Sequence, residues 1–249
     1  MKRIEIPKIE RKDNNSITRA DTIKKVSRIA DLYKRSEVSD LWYKYQNNIE
    51  FTKDDLITLY DIYNENYLLS EDEKKIIGKI RDTRIISIDM SKIFDCDPLE
   101  VAISQEVLNK DPDRYVVLWG SLIYYEDKNN YNNLKYIKGN LSSSIIGCKT
   151  IIDSFSSLIS VGGVVDFNTL EDASGFVSLK SIGKYADFSK LTDANGLNNL
   201  EIIGLSAYFN SLNNIKGLDS LRYIGNFMNF DNLPREEYEK LKRRVKKKW

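Results

Sequence analysis

The sequence contains no histidine. Histidine is the side chain that ordinarily titrates near neutrality, and it is the commonest metal ligand and catalytic base. Its absence excludes Ser-His-Asp and Cys-His nucleophile systems. An enzyme built on this chain would have to work with carboxylates, lysine, tyrosine or arginine. Cysteine is nearly as scarce, since Cys96 and Cys148 stand 52 residues apart with no CxxC partner. Two distant thiols make neither a disulfide framework nor a zinc-ligand set, and they fit a reducing compartment. No apolar run approaches the ~20 residues needed to cross a bilayer. The opening Met1-Lys-Arg-Ile-Glu-Ile-Pro7 lacks the apolar stretch of a signal peptide, so a cytoplasmic protein with no membrane partner is expected. Charge of one sign is also missing: 38 basic and 37 acidic residues leave a net +1. That balance argues against a globally basic nucleic-acid binder.

What is present is a repeat. The chain of 249 residues, 41% hydrophobic and 30% charged, is long enough for one large or two small soluble domains. Between Leu134 and Pro234 a pattern returns every 21 residues, starting at Leu158, Leu179, Leu200 and Leu221 and reading L-x-x-V/I-G each time. Phe167, Phe188, Phe209 and Phe230 keep the same step, as do Leu170, Leu191, Leu212 and Leu233, and Gly175, Gly196 and Gly217. A period of this length builds a solenoid, in which each coil buries its apolar face against its neighbours. Alternate positions such as Val165 and Phe167, or Ala207 and Phe209, predict one inward-facing strand per coil and a ladder of Phe rings. The in-register glycines are expected at corners, where positive φ or tight packing favours them. The remaining sides of each coil are read as extended chain or short 3₁₀ turns.

Ahead of the repeat the chain reads as a flexible arm over 1–17 and a helical, α+β region over 18–133. Helices are predicted from Thr18 to Tyr33 (Ile23, Val26, Ile29, Ala30 and Tyr33 inward) and from Val38 to Tyr45 (Leu41, Trp42 and Tyr45 inward). A third begins at Thr52, with Asp55 three residues on, and a fourth at Ser70, with Glu73 three residues on, both capping-box patterns. Thr83 to Met90 alternates Ile with polar residues and predicts a strand. Asp97-Pro98 followed by Glu100 predicts an N-cap and a helix reaching about Asn109. Tyr115 to Tyr125 is a β-rich run. Residues 235–249 predict a basic capping helix with a Leu241, Val245, Trp249 stripe. The fold class expected is therefore α+β: a helical N-terminal domain, a solenoid of about five coils over 134–234, and a C-terminal cap.

The L-x-x-I-G starts, the x-A-x-F strands and the A/I-x-G-L corners resemble leucine-rich-repeat solenoids. They are most similar to the short-coil variety found in receptor L domains and in bacterial and phage proteins. The resemblance covers 134 to 234 and implies architecture and a binding role, with no activity and no functional residues carried over. The usual turn Asn is not fixed here, and Phe replaces the strand Leu. The helical front resembles bacterial proteins that reach such repeats through a segment like Ile93-Phe-Asp-Cys-Asp-Pro98.

Candidate sites follow from the outward strand positions. Asp166, Asp187, Tyr208 and Asn229, flanked by Tyr185 and Phe227, would form a partner-binding face, since exposed aromatics favour interfaces. The plainer alternatives are a solvated sheet or a face covered by the N-terminal helices. Lys242, Arg243, Arg244, Lys246, Lys247 and Lys248, with Trp249 to stack on a base, form an alternative nucleic-acid site. Glu236, Glu237 and Glu239 precede them, the order a helix dipole prefers in an ordinary cap. Asp95, Asp97 and Glu100 would suit a divalent metal or acid-base chemistry, although capping already accounts for Asp97 and Glu100. Trp42, Tyr43 and Tyr45 read as packing residues. Gly162-Gly163 reads as a corner, because no phosphate-loop Lys-Ser/Thr follows. No cofactor, metal or small-molecule substrate is expected. The expected function is non-catalytic binding to a protein or ribonucleoprotein complex, with nucleic acid through the tail as the alternative. A sharper version of the expectation is a phage or mobile-element inhibitor of a host defence complex, anti-CRISPR-like, and the Lys-, Asn-, Ile- and Tyr-rich composition of an AT-rich genome fits it.

Overall fold

The computed structural model describes residues 36–64, 69–125, 130–143, 148–151 and 154–245. The chain divides into two units, Met1–Arg84 and Ile85–Trp249. The arm over 1–17 and the helix predicted from Thr18 to Tyr33 lie outside the described residues.

The first unit holds helix α1 (residues 36–46), α2 (Lys53–Asn64) and α3 (Glu71–Asp82). Both predicted capping boxes form. Asp55 accepts from the Thr52 amide at 2.8 Å while Thr52 Oγ1 accepts from the Asp55 amide at 3.2 Å. Ser70 and Glu73 make the same reciprocal pair at 2.8 and 3.3 Å. Helices this short gain most of their stability from packing. Val38, Leu41, Phe51, Leu56, Leu59, Tyr60, Ile77 and Ile80 are accordingly buried. Trp42 stacks on Tyr45 with ring centroids 5.5 Å apart, but Tyr43 is 61% exposed and is not the packing residue expected.

The second unit opens with α4 (Ile86–Phe94), which replaces the strand predicted over Thr83–Met90. The Ile alternation there marks no common buried face: Ile85 and Ile88 are exposed, whereas Asp89 and Met90 are buried. Packing of α4 against the first strand of the solenoid overrides the β-branched preference. The helix predicted from Asp97 to Asn109 is likewise corrected. Asp97 does cap, and its box with Glu100 closes a single 3₁₀ turn over Pro98–Glu100. The chain then becomes strand β1 (Val101–Ala102) before helix α5 (Gln105–Leu108) starts from its own cap, Ser104.

From β1 onward the chain coils as a parallel β-solenoid with two short strands per coil, where the repeat had predicted one. The coils are β2 (Val117–Leu118) with β3 (Leu122–Tyr124), β4 (Tyr136–Ile137) with β5 (Leu141–Ser143), and β6 (Ser160–Val161) with β7 (Val165–Asp166). Then follow β8 (Ser181–Ile182) with β9 (Ala186–Asp187), β10 (Ile202–Ile203) with β11 (Ala207–Tyr208), and β12 (Tyr223–Ile224) with β13 (Met228–Asn229). Among the described residues, β1 and the even-numbered strands form a first sheet of seven, and the odd-numbered strands from β3 to β13 form a second of six. Register pairs Val117 with Tyr136, Tyr136 with Ser160, Ser160 with Ser181, Ser181 with Ile202 and Ile202 with Tyr223. The steps are therefore 19, 24, 21, 21 and 21 residues, about five turns. The first sheet was not predicted although its inward Val161, Ile182, Ile203 and Ile224 keep the 21-residue step, because the outward Ser160, Ser181, Ile202 and Tyr223 share no chemistry and show no strand alternation.

The interior is a set of ladders. Phe188, Phe209 and Phe230 stack at centroid distances of 5.4 and 5.2 Å. Phe167 and Phe188 are linked edge-on through Phe176, which itself stacks on Phe155 at 5.6 Å. Phe155 and Phe176 occupy the offset that holds Leu197 and Leu218 in later coils, and all four are fully buried. Leu241 and Val245 of α6 (Arg235–Arg244 and the residue after it) join the same core, so the helix caps the last coil as predicted. At the other end Leu108 of α5 joins it.

Two glycine columns hold the corners, both by close backbone approach and one also by its backbone angle. Gly196 and Gly217 have φ of +99° and +84°, a backbone region that side chains disfavour. Gly204, between β10 and β11, has ordinary φ, yet any Cβ there would collide with the carbonyl oxygen of Gly183 in the coil below. Its amide donates to Ile182 O at 2.8 Å, and Leu205 N donates to Lys184 O at 2.8 Å, carrying the inter-coil bonding through the corner. Gly204→Ala should therefore lower stability by about 1–3 kcal/mol or more, the range for forced overpacking. Gly78→Ala, in α3 with nothing within 4 Å of the added carbon, should raise it by about 0.5–1 kcal/mol. Denaturant midpoints of the two variants check this pair, and a Gly204→Ala protein as stable as its parent would remove the close-approach account.

Candidate functional site

The outer face of the second sheet brings the sequence-predicted residues together. Parallel register sets Asp166 directly beside Asp187, Asp187 beside Tyr208, and Tyr208 beside Asn229. One column earlier, just before each strand, stand Val164, Tyr185, Ser206 and Phe227. Inward-facing Val165, Ala186, Ala207 and Met228 anchor the same strands in the core, so side-chain alternation forces the intervening residues outward. Tyr185 and Phe227 are 41% and 50% exposed, and the Phe227 ring lies 6.0 Å from that of Tyr208. Leu205, 48% exposed at the corner between Tyr185 and Phe227, belongs to this patch and was missed. Its signal was available in the alignment: an apolar residue at the offset where neighbouring coils carry Lys184 and Asn226.

The acidic half of the face is ordered by local hydrogen bonds. Asp187 Oδ1 accepts from the Ser189 amide at 3.0 Å and from the Ser189 hydroxyl. Ser189 continues to Asn210 at 3.2 Å, and Asn210 Nδ2 donates to Asp231 at 2.8 Å, so a polar ladder edges the strands. Asp166 accepts from the Asn168 amide, but its Oδ1 is shielded from solvent and accepts no hydrogen bond. Desolvation, and then the charge of Asp187, push the Asp166 carboxyl above its ordinary value.

The alternative site is divided. Lys242 and Arg243 are exposed on α6. Arg244 is half-buried, donating from Nη2 to Leu218 O at 2.7 Å and lying 3.7 Å from Asp219, which makes it part of the cap. Lys246, Lys247, Lys248 and Trp249 lie outside the described residues. Lys240 is paired with Glu236 and Glu237 at 3.0 and 2.9 Å. Asp97 and Glu100 are spent on their capping box, and burial followed by the charge of Glu100 pushes the Cys96 thiol up. Among the described residues no group of three or more His, Cys, Asp or Glu is placed to hold a metal ion, and no helix is long and apolar enough to cross a membrane. An open groove of about 470 Å³ lies between α1 and α3, lined by Val38, Trp42, Tyr43 and Ile76.

These features define a class: a helical N-terminal region followed by a two-sheet parallel β-solenoid of about five turns, ending in a helix. No protein family, curated protein or solved structure matches this chain.

The raised Asp166 value carries a pH signature. A carboxyl whose folded-state pKa exceeds its unfolded one binds its proton more tightly when folded. The stability this gives is full below the unfolded value of about 3.9 and is lost as pH rises through the folded one. At neutral pH the ionised Asp166 is therefore a cost, so Asp166→Asn should raise the melting temperature at pH 7 and leave it nearly unchanged at pH 3. An equal gap at both pH values, or a lower melting temperature at pH 7, would contradict the assignment.

Proposed function

We propose that this is a non-catalytic binding protein that acts by occupancy, holding a macromolecular partner on the outer face of the second sheet. The observation that carries the reading is the patch of exposed Tyr185, Leu205 and Phe227 with half-buried Tyr208, on a sheet whose opposite face is fully packed. Large aromatics on a rigid surface supply contact area at little ordering cost, which is why they dominate interface hot spots. The short-coil leucine-rich-repeat resemblance supports it, since repeat solenoids offer extended binding surfaces. In its sharpest form the partner is a cytoplasmic host defence complex, such as a CRISPR nuclease. The protein would then be a phage or mobile-element inhibitor that blocks it without chemistry. The absence of histidine and the composition support this form.

The test is native affinity purification of the tagged chain from a host carrying such a complex, beside the Tyr208→Ala/Phe227→Ala variant. A stoichiometric, nuclease-insensitive protein partner retained by the parent and lost by the variant is expected, together with protection of phage or plasmid by the parent alone. Equal recovery by both proteins would dismiss the face.

Exposed Lys242 and Arg243 favour one second reading, nucleic-acid binding through α6. Under it, affinity for a 20-nucleotide single strand would fall steeply with salt, and Lys242→Gln/Arg243→Gln would reduce the salt slope by about 1–2. An unchanged slope would end that reading.

A further inference from the structure

We infer, resting on the reading of the second sheet's outer face as the binding surface, that its occupant is a protein segment presenting an arginine. The guanidinium would enter beside Asp166 and Asp187, while an apolar neighbour on the segment packs over Tyr208 and Phe227. Three observations on this face converge on that chemistry.

The first is charge. Asp166 and Asp187 are register partners on adjacent parallel strands, so two acidic residues stand side by side at the strand spacing of about 4.8 Å. Like charges directly opposite destabilise a sheet. Among the described residues neither has a lysine or arginine ion-pair partner. A cation from outside is what this pair lacks. The same carboxylates repel phosphate, which turns the face away from nucleic acid and towards a basic polypeptide.

The second is hydrogen bonding. Asp166 Oδ1 is shielded from solvent and receives no donor, a costly state for a carboxylate oxygen. Asp187 is already oriented by Ser189, so little ordering is left to do. A ligand cannot reach that shielded oxygen, but N–H donors arriving from solvent neutralise the charge of the Asp166 carboxylate and of Asp187 beside it. Guanidinium suits the geometry better than ammonium, because its planar fork directs several donors at once and reaches two acceptors one strand apart. A divalent cation fits poorly, since two carboxylates offer too few oxygens for calcium's six to eight.

The third is the aromatic surround. Tyr185 precedes Asp187 by two residues and is exposed, offering a ring face on which a guanidinium stacks. Tyr208 follows Asp187 in register, and Phe227 and Leu205 extend the apolar surface towards the last coil. The face thus runs from acidic to aromatic over neighbouring rungs. A segment matching it carries a basic residue next to an apolar one.

The probe is a fluorescein-labelled hexapeptide of alternating arginine and leucine, titrated into the full chain and followed by anisotropy. Companion peptides carry citrulline or lysine in place of arginine. Citrulline keeps the shape and removes the charge, and should weaken binding about tenfold or more, as loss of charge-assisted bonds implies. Lysine should bind less tightly than arginine. Asp166→Asn/Asp187→Asn, whose folding is confirmed by its melting temperature, should lose about tenfold for the arginine peptide and nothing for the citrulline peptide. Equal binding of arginine and citrulline peptides, or unchanged affinity in the Asn variant, would overturn the inference. Lysine binding as well as arginine would overturn the guanidinium assignment. If Tyr208→Ala/Phe227→Ala abolishes binding of arginine and citrulline peptides alike, the face still binds and only the cation is wrong. If neither pair of substitutions changes anything, the binding surface itself has been misread.

Discussion

The close approach of backbone to backbone at the corner between the two sheets is the constraint on which the solenoid depends. Each coil must sit directly on the one below at strand spacing, and at Gly204 the carbonyl of Gly183 already fills the space a Cβ would need. Only because that space stays empty can the amides of Gly204 and Leu205 reach carbonyls in the previous coil. The corner then continues the inter-coil bonding that β8 and β10 begin and β9 and β11 resume. Everything else follows from register. Once one coil is seated, each inward side chain has its counterpart from the next coil stacked upon it.

Those stacks decide how the interior is filled. A coil of about 21 residues encloses little volume, and large aromatic rings fill it with few side chains. Where the earlier coils carry Phe155 and Phe176, the later ones carry Leu197 and Leu218, and the strand column runs Tyr124, Ser143, Phe167, Phe188, Phe209 and Phe230. A parallel stack also has two open ends with unmet apolar surface. Leu108 of α5 closes one and Leu241 with Val245 the other, each by a short amphipathic piece whose remaining faces stay polar. The charge order along α6, acids first and bases last, suits the helix dipole and holds the cap in place.

A sheet anchored in this way is a rigid platform, and rigidity is what gives its exposed residues meaning. Tyr185, Leu205, Tyr208 and Phe227 lie on strands and corners whose alternate residues are buried, so ordering them on binding costs little. Asp166 and Asp187 are held at strand spacing by the same register that makes their charges repel. The face thus combines apolar area with negative charge that no described lysine or arginine pairs, and under the proposed reading this combination would select a partner by chemistry as well as shape.

The sequence by itself determined the period, the buried Phe and Leu ladders, the capping boxes at Thr52 and Ser70, and the helical cap. Each of these rests on interactions between residues at fixed separation, so the pattern is written along the chain. The outward placement of Asp166, Asp187, Tyr208 and Asn229 was legible for the same reason, as strand alternation fixes it. Only the tertiary structure decided the rest. It made Ile86–Phe94 a helix, because packing against β1 outweighed β-branched alternation. It cut the predicted Asp97 helix to one turn, because Val101 and Ala102 found partners in Val117 and Leu118. It also turned the repeated V/I-G starts into a second strand per coil, since that pairing is made by the backbone over only two residues in each coil. It alone placed Leu205 beside the aromatic patch and left Asp166 Oδ1 without a donor, because both depend on how close the neighbouring coil lies.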